Sequence, residues 1–178
     1  MGSNPIARIF QILFQQRPSM LILFDLDGTL ITSYMERPDR QYHRWQVLPN
    51  RRALLAQLRA EDHQLGIATN QGGVGLGFIT QAAFYRKLGL VLEALELPCD
   101  LPVAVCFAHP QARRKEYRSP DALARRKPNP GMLLELAQNF SEAAAGGVLY
   151  VGDKPEDRQA ARAAGADFAW AEDFFDQE

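Results

Sequence analysis

Short apolar runs at Leu21 to Phe24, Leu65 to Thr69, Val103 to Phe107, Val148 to Val151 and Ala166 to Trp170 alternate with helical patterns, and this alternation constrains the fold most. It predicts a parallel α/β architecture. Helices are expected at Asn50 to Ala60, Thr80 to Glu96, Pro130 to Phe140 and Pro155 to Ala164, three of them with Pro or Thr near the start and the last ended by Gly165. Two polar, loop-like segments interrupt the pattern, Ile31 to Leu48 and Ala108 to Arg126. With 178 residues the chain suffices for one domain, read as residues 20–178. Residues 1–19, with Ile6, Ile9, Phe10, Leu13 and Phe14 ahead of Pro18, read as an N-terminal extension. A packing arm and an upstream start codon both fit that extension, whereas a signal peptide fits poorly because glutamines interrupt its apolar stretch.

In open parallel sheets the active site forms beyond the carboxyl ends of the strands, near a switch in strand order. Every polar motif of interest here follows a predicted strand. The first run delivers Asp25-Leu26-Asp27-Gly28-Thr29, two carboxylates one residue apart, with Gly28 letting the chain turn away. On extended backbone Asp25 and Asp27 point to one side and can converge on a cation. A carboxylate beside Mg²⁺ can attack phosphorus while a second moves protons. Read alone, the string is also compatible with a solvated Asp-Gly turn.

Ala68-Thr69-Asn70-Gln71-Gly72-Gly73 follows the second run, with Thr69 expected to donate a hydrogen bond to a phosphate oxygen. In Arg125-Arg126-Lys127-Pro128-Asn129-Pro130-Gly131-Met132, Lys127 supplies a point charge and Arg126 a forked contact to phosphate or another acidic group. Val151-Gly152-Asp153-Lys154-Pro155-Glu156-Asp157 ends the fourth run, and Asp153 can complete an oxygen-ligand Mg²⁺ site with Asp25 and the carbonyl of Asp27. Asp157 is expected to act from behind the metal ligands, and Glu156 to face solvent at the helix start. Each string also has a bland reading: a Gly-rich turn, a solvated charge run, or an N-terminal cap.

Taken in order, DLDGT, ATNQ, RKPNPGM and VGDKPED resemble the haloacid dehalogenase (HAD) superfamily of phosphohydrolases over about residues 20 to 171. The ATNQGG and RKPNPGM wording is similar to the subclass containing histidinol-phosphate phosphatases, heptose-bisphosphate phosphatases and polynucleotide 3′-phosphatase domains. That resemblance implies a Rossmann-like parallel sheet of about five strands, helices on both faces and no large cap domain. It implies Asp25 as the nucleophile forming an aspartyl-phosphate, and Asp27 as the acid that protonates the leaving alcohol and then activates water. Thr69 and Lys127 would hold the phosphoryl group, Asp25, Asp153 and the Asp27 main chain would hold Mg²⁺, and Asn70 and Arg126 would sit at the substrate edge. Sugar-phosphate members often carry a zinc loop before the RKP motif. Here Cys106-Phe107-Ala108-His109 is followed by no further cysteine, so no structural zinc is expected.

The resemblance implies a Mg²⁺-dependent phosphomonoesterase acting on a small phosphorylated metabolite or a nucleic-acid 3′-phosphate. The alternatives are a catalytically silent binder of phosphorylated ends and a phosphotransferase. For the nucleic-acid substrate speak Arg113, Arg114, Lys115, Arg118, Arg125, Arg126 and Lys127 in one segment. Arg37, Arg40, Arg44, Arg51 and Arg52 in another add to it, interleaved with Tyr34, Tyr42, His43 and Trp45. Against it speak a net charge of −1 and the alternative that Tyr42 and Trp45 pack on the core. Two cysteines are too few for a disulfide framework, and no apolar run approaches the ~20 residues of a membrane span. The expected setting is a reducing cytoplasm, with the oligomeric state open.

Overall fold

The computed structural model describes residues 19–33 and 41–176. Its first strand, β1 (Leu21–Phe24), is buried on both faces, as its uninterrupted apolar run requires. Helix α1 (Arg51–Ala60), strand β2 (Gln64–Asn70), the single turn α2 (Gly72–Gly75) and helix α3 (Gln81–Ala94) follow. Next come β3 (Val103–Cys106), a 3₁₀ turn at Lys115–Tyr117, α4 (Pro120–Arg125), α5 (Gly131–Asn139), α6 (Ser141–Ala145) and β4 (Val148–Gly152). The chain closes with α7 (Pro155–Ala164), β5 (Asp167–Trp170) and α8 (Ala171–Phe175).

All five strands are parallel, in the order β3-β2-β1-β4-β5. The chain steps outward from β1 to β3, then returns to the other side of β1. The switch in strand order therefore lies between β1 and β4, where Phe24 pairs with Val151 and the Asp25 N–H donates to the Val151 carbonyl at 2.9 Å.

Alternation along β1 sends side chains to two cores. Ile22 and Phe24 join Leu55 and Leu58 of α1, Phe84, Leu88 and Val91 of α3, and Phe174 and Phe175 of α8. Leu21 and Leu23 join Ala68, Tyr150, Met132, Leu133 and Leu136 of α5, and Ala160 and Ala161 of α7. Helices thus cover both faces, as expected. Local chemistry sets their ends. The Thr80 hydroxyl accepts from the Ala83 N–H at 3.1 Å to start α3, and Gly165, at φ 72°, ends α7 in the left-handed conformation that glycine adopts without penalty.

The structure corrects the sequence reading of the helix inventory. Segment 108–126 is not all loop, since it holds the 3₁₀ turn and α4, and α2, α6 and α8 were not anticipated. Each spans four to six residues. Helices that short carry too few turns to show a periodic apolar stripe. Of the 1–19 extension only Ser19 is described, donating to the Asp62 carbonyl at 2.6 Å, and Tyr34, Arg37 and Arg40 lie outside the described residues. Among the described residues no helix is long and apolar enough to cross a membrane.

Candidate active site

The chain leaves β1 at Asp25 and folds into a tight loop, with the Gly28 N–H bonded to the Ile31 carbonyl at 2.7 Å. Gly28 sits at φ 97°, and a Cβ there would lie 2.2 Å from Asp153 Oδ2. Only glycine permits both the turn and this approach. The loop thereby brings the end of β1 against the end of β4, and the buried Thr29 hydroxyl lies 3.4 Å from Asp153 Oδ1. Asp25, Asp153 and Asp157 each present a carboxylate oxygen, all within 4.8 Å of one another.

Lys127 serves two of these carboxylates. Lys127 Nζ, delivered by the segment before α5, lies 2.6 Å from Asp25 Oδ1 and 2.7 Å from Asp157 Oδ1. It also reaches the Ala68 carbonyl at 3.0 Å and the Tyr150 hydroxyl at 2.6 Å. Tyr150, fully buried on β4, donates in turn to the Ala68 carbonyl at 2.9 Å. The other Asp157 oxygen accepts from the Lys154 N–H at 3.0 Å and caps α7. Asp157 therefore does two jobs, starting a helix and holding Lys127.

Burial pushes the Asp25 carboxyl up to about 7; Lys127 opposes this, and the Asp157 and Asp153 carboxylates reinforce it. Burial alone would lower Lys127, but Asp25 and Asp157 beside it hold its ammonium above the ordinary lysine value. Three carboxylates converge here, and Lys127 contacts two of them. That oxygen-only donor set, two of its members buried, fits a hard divalent cation.

Asp27 is turned to a different set of partners. Its Oδ1 lies 2.7 Å from Lys87 Nζ on α3, and its Oδ2 accepts from Gln71 Nε2 at 2.7 Å. Gln71 also donates to the Thr69 hydroxyl at 3.0 Å, and Lys87 sits 4.5 Å above the Tyr42 ring. Asn70, expected at the substrate edge, does line the cleft, but its amide is engaged with the Lys127 main chain, donating to the carbonyl at 3.0 Å and accepting from the N–H at 3.1 Å. Its visible work is to register β2 with the lysine segment.

These groups line an open cleft of about 250 Å³. Asp25, Asp27, Thr69 and Lys127 lie within it, and Leu76, Phe78, His109 and Arg126 form part of its wall. Arg126 donates to the Ala108 carbonyl at 2.9 Å, and burial followed by Arg126 lowers the His109 imidazole from its ordinary value. Glu156 also lines the cleft and is half-buried, so the expectation of a solvent-facing residue is corrected. Cys106 is a buried core residue whose thiol faces the Ala122 carbonyl at 3.5 Å.

Lys87, Gln71 and Tyr150 escaped the sequence reading. Lys87 did carry a signal, since it stands between Phe84, Leu88 and Val91 on the apolar face of α3, where a lone cation needs a partner. Tyr150 is hidden inside an apolar strand, and Gln71 within a motif read for its neighbours.

The family model described as polynucleotide kinase 3 phosphatase matches residues 20–177. The chain belongs to this family. It is a HAD-superfamily phosphatase, a phosphoric monoester hydrolase. The D-glycero-β-D-manno-heptose-1,7-bisphosphate 7-phosphatase of Mesorhizobium japonicum is 32% identical over 160 residues, 88% of this chain and 71% of that protein. Its counterpart from Salmonella typhi is 35% identical over 112 residues, 62% of this chain and 58% of its own length. Among solved structures, a HAD-like phosphatase from Mesorhizobium loti superposes with a TM-score of 0.67 at 28% identity, covering 95% of this chain and 74% of that one. The D,D-heptose 1,7-bisphosphate phosphatase of B. bronchiseptica, solved with magnesium and phosphate, gives 0.63 at 29% identity, covering 84% and 78%.

Proposed function

We propose that this phosphatase hydrolyses a phosphorylated sugar with Mg²⁺ bound, through a phosphoryl group carried on Asp25. The carrying observation is the convergence of the buried Asp25, Lys127 and Asp157 with Asp153 at the β1/β4 switch, and with Asp27 lining the same cleft. An Asp25 oxygen attacks phosphorus and the bond to the sugar oxygen breaks. That oxygen leaves with the bonding pair and takes the proton held on Asp27. Asp27, now a carboxylate, removes a proton from the water that attacks the aspartyl-phosphate, releasing phosphate and restoring Asp25. Thr69 and Lys127 hold the phosphoryl oxygens, Arg126 and Asn70 stand at the substrate edge, and Asp157 keeps Lys127 in place. Asp25, Asp153 and the Asp27 carbonyl would hold the Mg²⁺, which when bound would offset repulsion between carboxylate and phosphate.

The sugar reading draws on the heptose-bisphosphate phosphatases among the relatives. It is also favoured by the described basic residues that are engaged within the fold, while Arg113, Lys115 and Arg118 stay exposed. Arg51 is buried, donating to the Thr29 and Pro49 carbonyls, and Arg52 to that of Ala94. Arg114 pairs with Glu116, Arg125 with Glu135, and Trp45 packs on the core. A nucleic-acid 3′-phosphate end is the second reading, favoured by the family match and by Phe78, which lines the cleft while 74% exposed, as a base-stacking platform would be. The deciding experiment is Mg²⁺-dependent phosphate release from a panel of sugar phosphates, including heptose 1,7-bisphosphate, beside a 3′-phosphorylated oligonucleotide. A sugar phosphate should give the highest kcat/KM. Preference for the oligonucleotide would replace the first reading with the second, and release from neither would sink both.

A metal prediction accompanies it. EDTA should abolish turnover. Asp25 must be ionised to bind a cation, and its carboxyl is held near 7, so Mg²⁺ binding should strengthen as pH rises through that value. Calorimetric titrations at pH 6 and pH 8 giving equal affinity would contradict this.

A further inference from the structure

We infer that Lys87 and Gln71 are positioning residues that fix the Asp27 carboxylate for proton delivery to the leaving group, an inference that rests on the acid role proposed for Asp27. Nothing in a phosphatase loop demands a lysine in the middle of α3 (Gln81–Ala94). Yet Lys87 is only 5% exposed, and it projects from the α3 face that packs Phe84, Leu88 and Val91 into the core. A buried ammonium is costly without a close counter-charge. Asp27, at 2.7 Å, is a counter-charge for it whenever the carboxyl has given up its proton.

The second oxygen of the same carboxylate is taken from the opposite side. Gln71 Nε2 donates to it at 2.7 Å and to the Thr69 hydroxyl at 3.0 Å, so the amide is itself tied to a residue lining the cleft. Both oxygens of Asp27 therefore have fixed donors, one from α3 and one from the end of β2, and the plane of the carboxylate is set between them. The half-buried Tyr42 ring, 4.5 Å from the ammonium, adds a cation–π contact to Lys87. A proton donor must keep its geometry within about 0.5 Å and 10–20° to be effective. Asp25 has its own lysine, so the two carboxylates of the loop are held by separate cations and Lys87 can be changed without touching the Asp25 cluster.

A residue that only stabilises the fold would slow every substrate alike. A residue that aims an acid matters in proportion to how much the leaving group needs a proton. The test is the single-turnover rate of leaving-group release from a sugar phosphate, whose alkoxide requires protonation, and from 2,4-dinitrophenyl phosphate, whose phenolate does not. Lys87→Met should slow release from the sugar phosphate by about 10- to 100-fold, part of the 10²–10⁴ that a general acid supplies. On the dinitrophenyl ester it should change the rate by less than about threefold, with the half-saturating concentration of either substrate moved by no more than about twofold. Gln71→Leu should show the same selectivity at smaller amplitude. Asp27→Asn is the control for the underlying reading: equal losses on both esters in that variant would overturn the acid role itself. An Asp27→Asn that is selective beside Lys87→Met and Gln71→Leu variants that are not would overturn the positioning inference alone. Should Lys87→Met fail to fold, Gln71→Leu decides by the same criterion.

Discussion

Lys127→Met should lower the free energy of unfolding by about 3–5 kcal/mol, the range for removing one partner of a buried ion pair, and should leave no measurable turnover. Methionine keeps the length and apolar stem of lysine, so packing against Tyr150 changes little. The charge is what disappears. Asp25 and Asp157 lose their contacts at 2.6 and 2.7 Å and remain largely buried at the base of the cleft, with Asp153 adding its own repulsion to Asp25. The pH dependence of the loss follows from the same groups. Asp25 in the folded protein sits near 7, above its ordinary 3.8, so the stability it contributes is complete below pH 4 and is lost as pH rises through 7. Without the lysine that opposes this shift, ionisation near neutrality becomes costlier still. The deficit of the variant, read from urea unfolding midpoints, should therefore shrink from pH 8 to pH 5. A deficit below about 1 kcal/mol at pH 8, the scale of an exposed pair, would mean that the ammonium is not the keystone of the cluster.

What the sequence disclosed and what it withheld follow one physical line. The apolar runs marked the strands because a sheet covered on both faces demands continuous hydrophobicity, and β1, β4 and β5 begin or end within a residue of the runs that foretold them. The site was legible in the loops for a related reason. Gly28, Asp153 and Lys127 occur in short strings whose spacing is tied to strand ends, and the 2.2 Å clearance at Gly28 explains why one of those strings must contain glycine. Long-range partnerships were not legible. Lys87 is 60 residues from Asp27, and the Tyr150 hydroxyl meets the Ala68 carbonyl across 82 residues, distances over which no local pattern operates. The basic segments misled in the same way. Arg51 looks like a surface cation by composition, but it fills a buried niche between Thr29 and Phe175, because a guanidinium can satisfy main-chain carbonyls and stack on a ring together.

Asp25→Asn should reduce hydrolysis of every phosphomonoester by roughly 10⁴- to 10⁶-fold, the scale set by deleting a covalent nucleophile, while leaving a folded protein. Asparagine has the same size, and its Oδ1 can still accept from Lys127. It also removes a buried carboxyl whose ionisation is opposed by burial and by the Asp157 and Asp153 carboxylates, so the unfolding midpoint at neutral pH should stay level or rise. The combination distinguishes chemistry from architecture. A damaged fold would lose stability and activity together, whereas loss of a nucleophile separates them. Radiolabelled phosphate from 2,4-dinitrophenyl phosphate should become covalently attached to the wild-type protein on acid quenching and should be absent from Asp25→Asn. Asp27→Asn should retain the label for longer than wild type, because Asp25 can still be phosphorylated by an ester that needs no acid, while the water that clears it has lost its base. Turnover in Asp25→Asn at even a tenth of the wild-type rate would exclude Asp25 as the phosphoryl carrier. Water would then have to attack the substrate phosphorus directly, with the Asp25 carboxylate reduced to holding the cation.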